Sequence, residues 1–456
     1  MRHLGGLRGV IVALAGLVIG LSPGVATGSG FAITEHGGRG LGSAWAGEAA
    51  VAEDARTIYF NPAGMTLLRG TNLVSGMAGI RTSGGFDNEG SHLNEAVGGG
   101  PLRGNDGGDG GALGAIPSLY ISHQLLDRLW VGLGVDAPFG LRTDWDPGWV
   151  GRYNGVVSDL KSVNVNPSLA VRVLDQLSLG AGLDVQYTHA KLTNFLDLGT
   201  LCVTEQGLPP ELCTAAGLPP QGADAFVKIV GSSWGVGWNV GAMWEPRSGT
   251  RLGLTYRSRI QHELEGDADF TVPPKARQLV RPTGQLRDTG ARAPVEFPDS
   301  ASLAAFQQIT KQLAVMGDVT WTHWDRFSQL YVNFDNPRQT DFTVPENWRD
   351  TFRVAVGLRY DPTERWSLRA GFAWDETVIT SPRFRDARIP DSTRYWMAFG
   401  AGYQLTDALR VDAGYAHIFI PSVPTRNRDP VTGNLLRGEF SGMADIIAFQ
   451  ATLVFD

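Results

Sequence analysis

The chain has 456 residues, 59 of them glycine, with 9% aromatics and a formal net charge of −7, and its mean hydropathy is close to zero. Glycine stands well above its usual share of roughly 7%, and the balance excludes a bundle of membrane helices. The charge is spread along the chain without a Lys/Arg block to track phosphates, which excludes nucleic acid as a partner.

The opening MRHLGGLRGVIVALAGLVIGLSPGVATGSG combines a basic start at Arg2 and Arg8, an apolar run from Val10 to Leu21 and small residues at Ala26 and Gly28. This is the three-part pattern of a secretory signal; it assigns residues 1–28 to the signal peptide, with cleavage before Ser29. The run is too short to cross a bilayer core of about 30 Å. No later apolar stretch reaches about 18 residues before Gly, Asp, Arg or Asn interrupts it. An exported chain of this kind is either soluble or a barrel.

Residues 29–68 show no strand alternation. SAWAGEAAVAEDA favours one or two short helices, and the Asn61-Pro62 of YFNPAGM then breaks them. The segment is apolar and small-residue-rich enough to pack, unlike a disordered tail.

From Thr71 onward the dominant period is two, which sends successive side chains to opposite faces of a strand. In LSLGAGLDVQYTHA, Leu177, Leu179, Leu183, Val185 and Tyr187 oppose Ser178, Asp184, Gln186 and Thr188; WSLRAGFAWD and LRVDAGYAHIF alternate in the same way. In WVGLGVDAPFGLRTDW, Pro138 has no ladder donor and Gly134 and Gly140 tolerate unusual backbone angles. Either the strand is interrupted between Val135 and Gly140, or it ends there in a loop.

Short turns such as DPTER and LTDA alternate with long Gly-, Pro- and polar-rich connections. The long ones run from Arg81 to Gly111, Leu141 to Gly155, Phe195 to Phe226, Glu265 to Ala291, Asn336 to Trp348, Ile379 to Ser392 and Pro421 to Asn434. A soluble sandwich uses shorter strands, whereas short/long alternation is what an outer-membrane barrel requires. The count is about fourteen antiparallel strands, even as expected when both ends lie on the periplasmic side. Residues 69–456 are thus read as a transmembrane β-barrel.

The polar strand faces then line a lumen with Arg172, Arg257, Arg259, Arg353, Arg359, Arg369, Arg394, Arg410, Asp184, Asp375 and Asp412. Trp149, Tyr153, Trp244, Trp324, Phe327 and Tyr403 near strand ends fit interfacial girdles. Cys202 and Cys213, in LCVTEQGLPPELC, are close enough to close a small loop in an oxidising compartment, and a disulfide is favoured over two free thiols. No nearby His or further Cys completes a zinc site, and no metal or cofactor is expected. The G-x-S-x-G match at Gly231 to Gly235 lies inside a strand and lacks the strand-to-helix turn of a hydrolase, so the chain is not read as an enzyme.

GRGLGSAWAGEAAVAEDARTIYFNPAGM resembles the N-terminal hatch signature of the FadL/TodX (OMPP1) family of outer-membrane transporters for long-chain fatty acids and aromatic hydrocarbons. The similarity continues through SSWGVGWNVGAMWEP, VTWTHWDRFSQL, TFRVAVGLRYDP and RIPDSTRYWMAFGAGY, and so covers nearly the whole mature chain. It implies a fourteen-stranded barrel plugged by a partly helical hatch, residues 29–68, whose Asn-Pro-Ala motif falls on Asn61, Pro62 and Ala63. The family's kinked third strand and lateral opening fall on Gly134, Val135, Asp136, Ala137, Pro138, Phe139 and Gly140.

The resemblance implies passive uptake of hydrophobic compounds, long-chain fatty acids first, with release sideways into the membrane. Aromatic hydrocarbons are the alternative within the family, and a general diffusion porin the alternative outside it. Ligand contacts are expected at Phe31 and Phe139, and Arg257 or Arg259 at a charged headgroup, because Asn194 stands where fatty-acid members can carry a basic residue. The expected setting is the bacterial outer membrane. There the partners are membrane lipid, lipopolysaccharide and the barrel assembly machinery, and the barrel acts as a monomer. The final Asp456, after Phe455, departs from the aromatic terminus usual for such barrels.

Overall fold

The computed structural model describes residues 29–455; the expected signal segment 1–28 and Asp456 lie outside the described residues. The strands are β1 (Thr71–Asn88), β2 (Leu113–Leu126), β3 (Leu129–Asp136 and Gly140–Asp144), β4 (Val157–Leu174) and β5 (Leu177–Asp197). They continue as β6 (Asp224–Arg247), β7 (Thr250–Arg257 and Ile260–Thr271), β8 (Thr289–Phe297 and Ser300–Gln308), β9 (Leu313–Thr322 and Gln329–Phe334) and β10 (Phe342–Pro345 and Thr351–Tyr360). The last are β11 (Trp366–Asp375), β12 (Arg394–Gln404), β13 (Leu409–Arg428) and β14 (Leu435–Phe455). Five strands are interrupted, and counting each once gives fourteen antiparallel strands.

The barrel closes where β1 meets β14, in register from Thr71 opposite Phe455 to Asn88 opposite Gly438. Closure leaves neither β1 nor β14 with an unpaired edge towards lipid. Outward positions are apolar and exposed: Trp234, Val236, Trp238 and Val240 on β6, and Phe352, Val354, Val356 and Leu358 on β10. The alternate residues turn inward, as Asn239 and Ala355 do, both buried. Period two thus reports the lipid face.

The strands run further outward than the loop pattern implies. Arg81–Asn88 belong to β1 and pair with Gly438–Asp445, and β13 continues past a register shift at Ile420/Val423 to Arg428. Above the apolar stripe both faces meet water or loops, so alternation fades while backbone pairing persists.

Four of the expected girdle aromatics are internal. Trp149 and Tyr153 are buried beneath the outer loops with Phe86, Trp145 and Phe440, and Trp324 and Phe327 are buried around Phe31. Trp244 is exposed on the outer face, and Tyr403 lies against Trp366 with ring centroids 4.7 Å apart. The outer loops are pinned by a disulfide joining Cys202 and Cys213, which sit on the short helices Leu198–Thr204 and Pro210–Ala215. Gly231 to Gly235 lie within β6.

Residues 29–68 fill the lumen and are almost wholly buried. They form three single-turn helices, α1 (Gly38–Leu41), α2 (Glu48–Val51) and α3 (Thr57–Phe60), followed by the 3₁₀ helix Pro62–Leu67. The alanine-rich stretch does not make a longer helix because Ala44, Trp45, Gly47 and Ala52 adopt positive φ, conformations that end a right-handed turn. Inward glycines let the hatch backbone touch the wall: a Cβ on Gly253 would overlap the Ala49 carbonyl, and one on Gly371 would overlap Ser43. Part of the glycine excess therefore belongs to this contact.

Candidate functional site

Asn61 and Pro62 act at a junction of hatch and wall. Asn61 is the residue at which α3 stops, and its side-chain oxygen caps the following 3₁₀ turn by accepting from Ala63 N at 3.1 Å. Pro62, lacking an N–H, stands at the first position of that turn, where none is needed. The Asn61 amide donates to Ala49 O at 2.7 Å and to Ala242 O on β6 at 3.0 Å. One side chain thus ties two hatch turns to the barrel.

Ionic contacts anchor the periplasmic half of the hatch. Asp412 on β13 meets Arg39 at 3.2 Å, Arg369 at 2.9 Å and Arg410 at 3.2 Å. Glu53 pairs with Arg359, and Gln450 donates to Asp54 at 2.8 Å. Buried charges are tolerable only when paired in this way.

The outer half of the hatch meets the interruption in β3. Ala137 and Pro138 leave the ladder between Asp136, which pairs with Asn164, and Gly140, which pairs with Lys161, while Phe139 O still accepts from Ser162 N on β4 at 3.1 Å. The strand resumes, so the break is internal and not a strand end. Hatch backbone takes over the freed groups: Ile33 N donates to Pro138 O at 2.8 Å, and Gly140 N donates to Phe31 O at 3.0 Å. The hatch N-terminus behaves as a short strand inserted at the break.

This insertion sets Phe31 at the centre of an aromatic cluster. Its ring centroid lies 6.0 Å from Phe139, 5.5 Å from Phe297, 4.8 Å from Trp324 and 5.5 Å from Phe327. Beside it is a cavity of ≈ 80 Å³ walled by Leu160, Ile229, Leu264, Val295, Phe327 and Leu330. A second cavity of ≈ 410 Å³, open beneath the disulfide-pinned helices, shares Ile229 with the first and includes Asn194, Phe270 and Phe334. The two cavities meet at Ile229, one beneath the outer loops and the other beside Phe31.

The predicted arginines divide. Arg257 points inward, but it is consumed by Asp184, by Tyr59 O at 2.8 Å and by the Tyr59 ring at 4.4 Å. Arg259 is a correction: it lies exposed on the outer surface, paired with Glu296 at 3.0 Å, and does not line the lumen. The break at Ser258 and Arg259 inverts the alternation, since Gly253 and Arg257 face in before it and Ile260 and His262 after it. Asn194 donates to Phe195 O at 3.2 Å. Arg388, not foreseen from the sequence, reaches the inner cavity; it is buried, lies 3.7 Å from Asp386 and is also in the field of Glu346 and Asp429. Its position in a polar outer loop gave no periodic signal.

A closed barrel with an apolar outer face, a packed internal segment and an apolar chamber defines a plugged outer-membrane transport barrel, not an enzyme. The family model described as outer membrane protein transport protein (OMPP1/FadL/TodX) matches residues 21–455. The chain belongs to this family, whose members carry hydrophobic compounds across the outer membrane.

Outer membrane protein P1 of Haemophilus influenzae is 30% identical over 417 residues, covering 87% of each chain. The long-chain fatty acid transport protein of Escherichia coli K12 is 27% identical, covering 87% of this chain and 89% of that one. Among solved structures, a Pseudomonas aeruginosa FadL homologue superposes with a TM-score of 0.85 at 26% identity, over 94% of this chain and 100% of the other. The Pseudomonas putida toluene transporter TodX shares the fold with a TM-score of 0.66 at 18% identity, over 88% and 94%.

Proposed function

We propose that the protein takes an uncharged apolar molecule, a small aromatic hydrocarbon first of all, into the Phe31 cavity and releases it sideways at the β3 break. The observation that carries this reading is the charge balance of the cavity. Arg388 lies 3.7 Å from Asp386 and in the field of the Glu346 and Asp429 carboxyl groups, Asp159 is matched by Lys161 at 3.2 Å and Arg292 by Asp335 at 3.4 Å. A ligand carboxylate would add one more negative charge to a site without a spare cation, in surroundings where unpaired charge is costly.

The sequence puts long-chain fatty acids first; the charge balance reverses that order. The walls are mostly aliphatic, with Phe31 and Phe327 as the aromatic side chains, and burial of an apolar ligand against them contributes about 25 cal/mol per Å². The packed hatch argues against a general diffusion porin. In the same reading the barrel works as a monomer among outer-membrane lipid and lipopolysaccharide, after insertion by the barrel assembly machinery.

The fatty-acid reading keeps one observation of its own: Arg388 Nε, 3.7 Å from Asp386, makes no hydrogen bond among the described residues. Equilibrium binding to the detergent-solubilised protein separates the two. Toluene is expected to bind, roughly tenfold more weakly after Phe31→Ala, by loss of aromatic contact. Oleate binding that exceeds toluene binding and disappears in Arg388→Gln would establish the fatty-acid reading instead.

A further inference from the structure

The wall has a second interruption, on the other side of Phe31 from the β3 break. β8 and β9 pair from Ser300 opposite Thr322 downward, and again at Arg292 opposite Asn333 and Ala291 opposite Phe334. One further bond, from His323 N to Asp299 O at 3.0 Å, closes the lower end. Between these limits no backbone hydrogen bond joins residues 293–298 to β9 among the described residues. Pro294 and Pro298 bring no donors to this stretch, and β9 spends Trp324–Arg326 in a 3₁₀ turn.

Unpaired backbone does not occur against lipid, and is found at membrane depth only where it is buried in protein or lines a cavity. Here it borders the cavity. Ala293 and Val295 on one edge, and Phe327, Leu330 and Val332 on the other, all line the inner chamber. So does Arg292, whose side chain is about half exposed at 51%. At Arg292 the chamber lining and the outer face therefore meet. Outside, the exposed apolar residues Val319 and Phe352 give way to His323, Asp325 and Asp350, so the seam opens at the outer edge of the lipid-facing stripe.

Side chains hold the seam where backbone does not. Arg326 pairs with Glu296 at 3.0 Å and with Asp299 at 2.5 Å, and His323 with Asp299 at 3.0 Å. Arg326, Glu296 and His323 are partly solvent-exposed and Asp299 is buried; the exposed Arg326–Glu296 pair holds weakly compared with a ladder of backbone bonds. Directly behind them, Phe297, Trp324 and Phe327 contact Phe31, whose opposite edge meets Phe139 at the β3 break.

We propose that the β8–β9 seam is a second side portal, through which uncharged apolar molecules at the outer-leaflet interface reach the Phe31 cavity without passing the outer loops. Arg326, Glu296 and Asp299 are its latch. Phe31 then stands between two wall openings, one admitting and one releasing. The inference rests on the apolar-ligand reading above.

The test bridges the seam. Pro294→Cys and Tyr331→Cys, on facing edges, are joined by a bis-maleimide in the full-length protein, and a monofunctional maleimide serves as control. Toluene uptake into proteoliposomes and toluene binding in detergent are measured in parallel. Bridging is expected to slow uptake roughly tenfold by blocking a gating motion, with binding in detergent retained, and Arg326→Gln is expected to speed uptake. Wild-type uptake after verified bridging overturns the portal while leaving the cavity reading intact. Absence of toluene binding in the unmodified protein overturns the cavity reading and the portal with it.

Discussion

The backbone nitrogen of Ser29 donates to the carboxylate of Asp375 at 2.9 Å, and the Ser29 hydroxyl donates to Glu376 O at 2.8 Å. This joins the first described residue of the hatch to the outer end of β11, two residues before Phe31. Cleavage before Ser29, the site expected from the sequence, would make that nitrogen an ammonium facing a buried carboxylate.

Asp375→Asn should therefore loosen the hatch N-terminus. A hydrogen bond to a charged group contributes about 1.5–3 kcal/mol, so protection of residues 29–33 from hydrogen exchange should fall by one to two orders of magnitude. Unchanged exchange would mean that Phe31 is held by its aromatic neighbours alone.

Asn61→Ala removes one donor from both Ala49 O and Ala242 O, together with the cap on Ala63 N. Leaving buried polar groups without partners costs roughly 1–3 kcal/mol. The variant should form the barrel normally by heat-modifiable migration, yet show faster protease cleavage within residues 29–68 and a larger single-channel current. A hatch as resistant as wild type would remove Asn61 from the tether.

The hatch carries two buried groups with opposed pH responses. Burial pushes the Glu35 carboxyl up from 4.5 to about 7, against the pull of Thr34 N–H and of Arg353 and Arg394. Burial, aided by Arg257 and Arg56, pushes His36 down from 6.5 to about 3. The raised carboxyl favours docking fully below pH 4.5 and loses that contribution as pH rises towards 7. The lowered imidazole contributes fully above pH 6.5 and loses its part as pH falls towards 3. Between pH 4.5 and 6.5 the two slopes offset each other. Glu35→Gln leaves only the histidine, so hatch protection from exchange should decline below pH 6.5 in the variant but only below about 4.5 in wild type. Identical profiles would contradict this assignment.

Much of this was legible in the sequence because lipid imposes a strict alternation. Trp234 and Val236 repeat at period two since the membrane admits nothing polar there, and the strand count follows from such runs. Pro138 showed the β3 break for a local reason, its missing donor. The misplaced features share a cause. A tryptophan near a strand end looks the same whether it meets lipid, as Trp244 does, or a loop core, as Trp149 does. Arg259 reads as luminal from the sequence because a two-residue break shifts the phase without changing the residue types on either side. Arg388 and the β8–β9 seam depend on contacts between distant segments, for which Pro294 and Pro298 were the sole local signs.

The central claim is that apolar cargo passes a barrel whose lumen is closed to water-soluble solutes. Initial rates of labelled toluene, oleate and sucrose uptake into proteoliposomes of the purified protein test it most directly. Rapid toluene uptake, slower oleate uptake and sucrose exclusion are expected; sucrose passage at a rate comparable to toluene would contradict a closed lumen.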